Sequence, residues 1–130
     1  MSHAPLTAPP EIFDALRRLM ARHEPPLTAR VPAEGRYELW SPAPVRVEDG
    51  RTRDVFFAGL VMHRTYVGFH FMPLAPDADR SSVFAPGLLA LLKGKSCFHV
   101  KRLDEALHEQ IAAALDRGHA IWVARGWIPS

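Results

Sequence analysis

Cysteine is nearly absent from this chain: Cys97 is the single thiol in 130 residues. One thiol excludes an intrachain disulfide, and with it the stapled frameworks of small secreted domains. Long apolar runs are missing as well. The longest, Phe84 to Leu92, holds nine residues and includes a proline and a glycine; a membrane-spanning helix needs about 20. The stretch Met1-Ser2-His3-Ala4-Pro5 has no basic segment leading into an apolar one, so no signal peptide is read there. The expectation is a cytoplasmic protein with no membrane partner. Charge of one sign is also lacking. Sixteen Lys and Arg stand against fourteen Asp and Glu, a formal net charge of +2. That balance gives no footprint for nucleic acid, and the basic residues are scattered as a solvated surface would have them. Internal repeats and low-complexity segments are absent.

What is present suits one globular domain over residues 1–130, with its core at about 9–128. Hydrophobic residues make up 48% and charged residues 23%, and a chain of this length buries a core without metal or disulfide staples. Residues 9–23 predict a helix: Ile12, Leu16, Leu19 and His23 recur at helical spacing, Pro9-Pro10 suits its start, and Pro25-Pro26 its end. Residues 25–35 predict a loop. Tyr37-Glu38-Leu39-Trp40 alternates as a strand, Val45-Arg46-Val47 suits an edge strand, and Glu48-Asp49-Gly50-Arg51 a turn.

The clearest local object is a β-hairpin of Val55–His63 and Tyr66–Leu74 joined by Arg64-Thr65. The expected register sets 63 opposite 66, 61 opposite 68 and 59 opposite 70. One face then carries Phe56, Ala58, Leu60, Met62, Val67, Phe69 and Phe71, and should lie under helices. The other carries Phe57, Gly59, Val61, His63, Tyr66, Gly68, His70 and Met72. Its two glycines leave a shallow depression beside His70. Residues 83–92 predict a short helix ending at Gly94. Ser96 to Lys101 alternates, with Phe98 and Val100 inward and Cys97, His99 and Lys101 outward. A last helix should begin at Asp104 and close near Gly126. The order of elements predicts an α+β two-layer sandwich, with N- and C-terminal helices on one face of an antiparallel sheet.

Chemistry concentrates in Leu92-Lys93-Gly94-Lys95-Ser96-Cys97-Phe98-His99-Val100-Lys101. Gly94-Lys95-Ser96 resembles the end of a phosphate loop. The glycine required five positions earlier is Leu89, and the motif's strand-then-helix context is reversed, so a turn is expected. Cys97 and His99 share a strand face, and with His70 they form a candidate ligand set for iron or zinc. Cys97 beside Lys95, His99 and Lys101 is a candidate nucleophile, with His99 or His70 as its base. No carboxylate or amide stands near to orient either histidine.

Three ordered patterns carry a resemblance: Tyr66-Val67-Gly68-Phe69-His70-Phe71-Met72-Pro73-Leu74, then Leu92 to Lys101, then Arg125-Gly126-Trp127. Together they resemble the YdhG-like domain family, small bacterial proteins of unknown function. The resemblance covers about residues 9–128. It implies a frataxin-like architecture, and for some relatives frataxin-like iron handling. The segment 41–54 looks longer than the family's usual one. The acidic ridge that iron loading through hard oxygen ligands would use is missing from the first helix, where Glu11, Asp14 and Glu24 are offset by Arg17, Arg18 and Arg22.

The expected function is a small binding or interaction module working through the uncovered sheet face. Candidate ligand-binding residues are Tyr66, His70, Cys97, His99 and Lys101, and the partner is a small ligand or a protein. An open sheet face also suits a homodimer. The alternatives are a metal-handling protein using His70, Cys97 and His99 and, behind that, a cysteine-dependent enzyme.

Overall fold

The computed structural model of the chain describes residues 4–47, 49–72, 84–94 and 96–128. Among these described residues three helices, α1 (Pro9–Ala21), α2 (Pro86–Leu89) and α3 (Glu105–Ala124), accompany eight strands. These are β1 (Thr28–Arg30), β2 (Arg36–Trp40), β3 (Val45–Arg46), β4 (Thr52–Arg53), β5 (Phe56–Met62), β6 (Val67–Phe71), β7 (Leu92–Lys93) and β8 (Cys97–Val100). Six of them form one sheet in the order β1-β2-β5-β6-β8-β7, antiparallel throughout. Strands β3 and β4 pair separately as a small hairpin. Helix α1 packs on β5 and β6, and α3 packs on α1 and α2. The result is an α+β fold with helices against an antiparallel sheet.

Local sequence accounts for the start of α1 and both ends of α3. Helix α1 carries prolines in its first turn, where a missing N–H costs no hydrogen bond. It buries Ile12, Leu16, Leu19 and Met20. Helix α3 starts where the Asp104 carboxylate accepts the Leu107 N–H at 2.8 Å, a cap worth about 1 kcal/mol. It stops at Gly126, whose φ of +79° favours glycine. Between the layers, Phe69, Phe71, Phe98, Leu60, Leu16 and Trp122 belong to one apolar core.

The β5–β6 hairpin has the register that the sequence predicts, with Gly59 opposite His70 and Val61 opposite Gly68. One part of that expectation is overturned. Phe56 was expected inward and Phe57 outward; in the fold Phe57 is fully buried and Phe56 is not. The cause is a bulge. Leu39 pairs with Ala58, but Trp40 pairs with Phe56, so β5 spends an extra residue there. Such an insertion reverses the facing of everything beyond it. Phe57 thereby packs edge-on against Trp122 and Phe71, while Phe56 meets Trp40 on the outer face.

Other boundaries moved. Residues 28–30, expected within a loop, form edge strand β1 against β2; prolines on both sides hide a strand this short. The helix expected at 83–92 is only α2, because Leu92 and Lys93 pair with Phe98 and Cys97. Gly94, with φ +77°, therefore turns one strand into another, and no helix follows it as a phosphate loop would require. Lys95 and Leu74 lie outside the described residues. The 45–47 segment does form a strand, but its partner is β4 rather than the main sheet. At the turn between them the Asp49 carboxylate accepts the Arg51 N–H at 2.9 Å. Glu48 is outside the described residues.

Candidate functional site

The helices cover one face of the sheet, and side chains of alternate parity stand on the other. On β2 these are Arg36, Glu38 and Trp40; on β6 they include His70 beside the bare Gly68; on β8 they are Cys97 and His99. The sequence-predicted outward set is thus placed on one surface, with Lys101 exposed just past β8.

Tyr66 organises one end of it. His63 stacks on one side of its ring at 4.4 Å and 18°, and His99 on the other at 4.3 Å and 25°. These three side chains come from the β5 end, the β6 start and β8, so the stack ties three strands together. It lies beside Gly68, which has no side chain to obstruct it. A Cβ built there would meet His70 Nε2 at 3.4 Å and His63 Nε2 at 3.6 Å. Both imidazoles therefore turn their Nε2 atoms toward the same bare spot. Burial lowers the pKa of His70, and the nearby His63, His99 and Arg36 lower it further. Its ring is neutral near pH 7.

Cys97 stands next in line, its Sγ 3.7 Å from His70 Nε2. The sequence placed this thiol among activating cations. Burial instead pushes its pKa up, which disfavours the thiolate that a nucleophile needs. The metal set expected from His70, Cys97 and His99 is not assembled either. His99 turns its ring onto Tyr66, and among the described residues no three His, Cys, Asp or Glu side chains are placed to hold one ion. Lys101 is set apart: with Lys93, His99 and Gln110 it lines a cleft of about 540 Å³ at the sheet edge.

Beyond His70 the outer face opens into a depression of about 440 Å³, lined by Arg36, Glu38, Trp40, Phe56, Gly59 and His70 among others. Its walls have fixed geometry. Trp40 donates its Nε1–H to Glu38 at 3.0 Å, meets Phe56 edge-on at 5.5 Å, and carries the Arg30 guanidinium over its ring at 4.2 Å. Arg30 is paired with Asp54 at 2.8 Å. Arg36 is different: among the described residues it has no ion-pair partner. Gly59 makes room for the Phe56 ring: a Cβ there would come within 2.7 Å of it, so the ring would have to shift. Arg36 and Phe56 were not among the residues singled out from sequence. The alternation Arg36-x-Glu38-x-Trp40 carried the signal for Arg36; the bulge hid Phe56.

A second histidine pair lies in the helical layer. His23, 8% exposed, brings its Nδ1 to 3.1 Å from that of His119. On its other side His23 Nε2 is 3.6 Å from an Asp116 carboxylate oxygen. Burial, and then the charge of His119, lower the His23 pKa, while Asp116 opposes them.

Among the described residues no helix is long and apolar enough to cross a membrane. No protein-family model matches the chain, and comparison with curated proteins and with solved structures finds no match. The YdhG-like resemblance rests on the three sequence patterns alone.

Proposed function

We propose that this chain is a small binding module, that the outer face of its sheet is the working surface, and that the ligand is a small organic anion with a planar part. The depression between Trp40 and His70 carries the reading. It offers a flat aromatic wall, neutral imidazole that can donate or accept, and in Arg36 a guanidinium free to form a bidentate pair with a carboxylate or phosphate. Pockets for small ligands combine apolar walls with a few convergent polar groups in this way. Tyr66, His99 and Cys97 form the rigid ground beside the depression, and Lys101 adds positive charge at the sheet edge. Helices at both ends of the chain on one face of the sheet support reading the architecture as YdhG-like and frataxin-like.

Calorimetric titration with benzoate and with adenosine monophosphate tests the proposal. The wild type should bind at least one of them saturably, and Arg36→Glu, a change at an exposed position, should weaken binding at least about tenfold, or about 1.4 kcal/mol. Equal binding by the two proteins, or none by the wild type, would refute it.

A further inference from the structure

The His23–His119 pair brings two ring nitrogens to hydrogen-bond distance, a spacing that two ligands of one metal ion also have. We propose that these two imidazoles form a chelate for a divalent cation of the zinc, copper or nickel class, bound between the turn that follows α1 and the C-terminal part of α3. Two nitrogens each about 2.0–2.1 Å from one ion are about 2.8–3.4 Å apart at octahedral to tetrahedral angles. The observed Nδ1–Nδ1 separation is 3.1 Å.

A second observation is independent of the first. A metal-bound histidine characteristically donates its other ring N–H to a carboxylate, which fixes the tautomer and aims the lone pair. The exposed Asp116 carboxylate lies on that side of the ring, 3.6 Å from Nε2 of His23, within ion-pair range and just beyond a hydrogen bond. A ring with Nε2–H facing Asp116 has a bare Nδ1 lone pair facing His119. Imidazole nitrogen selects zinc, copper or nickel over magnesium and calcium, which take oxygen ligands. The site is reachable: a shallow depression next to it is lined by His23, Asp116, His119, Ala120, Val123 and Ala124, and the alanines leave room for water.

Among the described residues no third ligand of the His, Cys, Asp or Glu type joins the pair. The ion would keep water in its remaining positions. Without metal, one ring donates its Nδ1–H to the other. When the ion binds, the donor ring passes that proton through solvent to its own Nε2, so both Nδ1 lone pairs face the metal and no net charge is lost from the protein.

Zinc titration of the full chain by calorimetry, with His119→Ala, Asp116→Asn and His70→Ala variants alongside, tests the proposal. The wild type should bind one ion per chain. His119→Ala should weaken binding at least about tenfold and Asp116→Asn by about tenfold, the usual cost of losing a supporting carboxylate. His70→Ala should leave it unchanged, which separates this site from the outer face. If His119→Ala fails to fold by circular dichroism, histidine ring nitrogen shifts of the wild type decide: zinc should move Nδ1 of His23 and His119. Equal affinity in wild type and His119→Ala, shifts confined to His63, His70 and His99, or no binding at millimolar zinc would each overturn the proposal.

Discussion

The two faces of strand β6 are both rich in rings, yet they use them differently. Inward, Phe69 and Phe71 are fully buried; Phe69 lies tilted at 40° to Phe71 and 35° to Phe98, and the rings beyond cross steeply, 69° between Phe57 and Phe71, 74° between Phe71 and Phe84, 65° between Phe84 and Phe98. Edge-to-face crossing fills space in every direction, as a core at crystal-like density must. Outward, Tyr66 lies nearly parallel to His63 and His99, and the strand between them is bare at Gly68. Parallel stacking braces three strands while leaving open ground beside the stack. One face is built to exclude water, the other to stay rigid in contact with it.

That contrast predicts that substitutions on the two faces differ in kind. The largest effect belongs to the core: Phe98→Ala, at a fully buried position, should cost about 3–5 kcal/mol in urea unfolding. A loss below about 1 kcal/mol would mean the inner face is not the core. Tyr66→Ala removes two stacking contacts from a half-buried ring and should cost about 1–2 kcal/mol, with the fold intact by circular dichroism.

Acid should reach the outer face through His70. Burial, then His63, His99 and Arg36, hold its folded pKa below the ordinary 6.5, so between those two values the unfolded chain binds the extra proton. Stability therefore rises with pH through that window. His70's contribution is complete above about 6.5 and is lost as pH falls toward the folded value. His70→Gln should flatten the stability curve below pH 6.5, and an unchanged slope would place the ring in water. The smallest effect is expected of Gly68→Ala. Its Cβ makes only ordinary contacts, at 3.4 Å and beyond, so stability should shift by less than about 1 kcal/mol. A large loss would show that the rings need the strand bare.

Hairpin register, the facing of Phe98 and Cys97, and both ends of α3 were legible because each is written locally, in alternation, a capping aspartate or a terminal glycine. The Phe56–Phe57 exchange was not. The bulge sits where Ser41 and Val55 tie two strands together, the Val55 N–H donating to the Ser41 hydroxyl at 3.0 Å and the Ser41 N–H to the Val55 carbonyl at 2.8 Å. That is a tertiary arrangement across fourteen positions, with no periodic signature. His23 and His119 are 96 residues apart, so nothing along the chain announces their meeting. Alternation placed Cys97 and His99 on the outer face but could not show that burial raises the Cys97 pKa, because it says which way a side chain points and not how far its neighbours desolvate it.

The claim that the outer sheet face is the working surface is tested most directly by mapping amide shifts during a titration with benzoate or adenosine monophosphate. The expected result is a contiguous set of perturbed residues on that face: Arg36, Gly59, Val61, Gly68 and His70. Saturable perturbation confined to the exposed sides of α1 and α3, with those five residues unmoved, would contradict it.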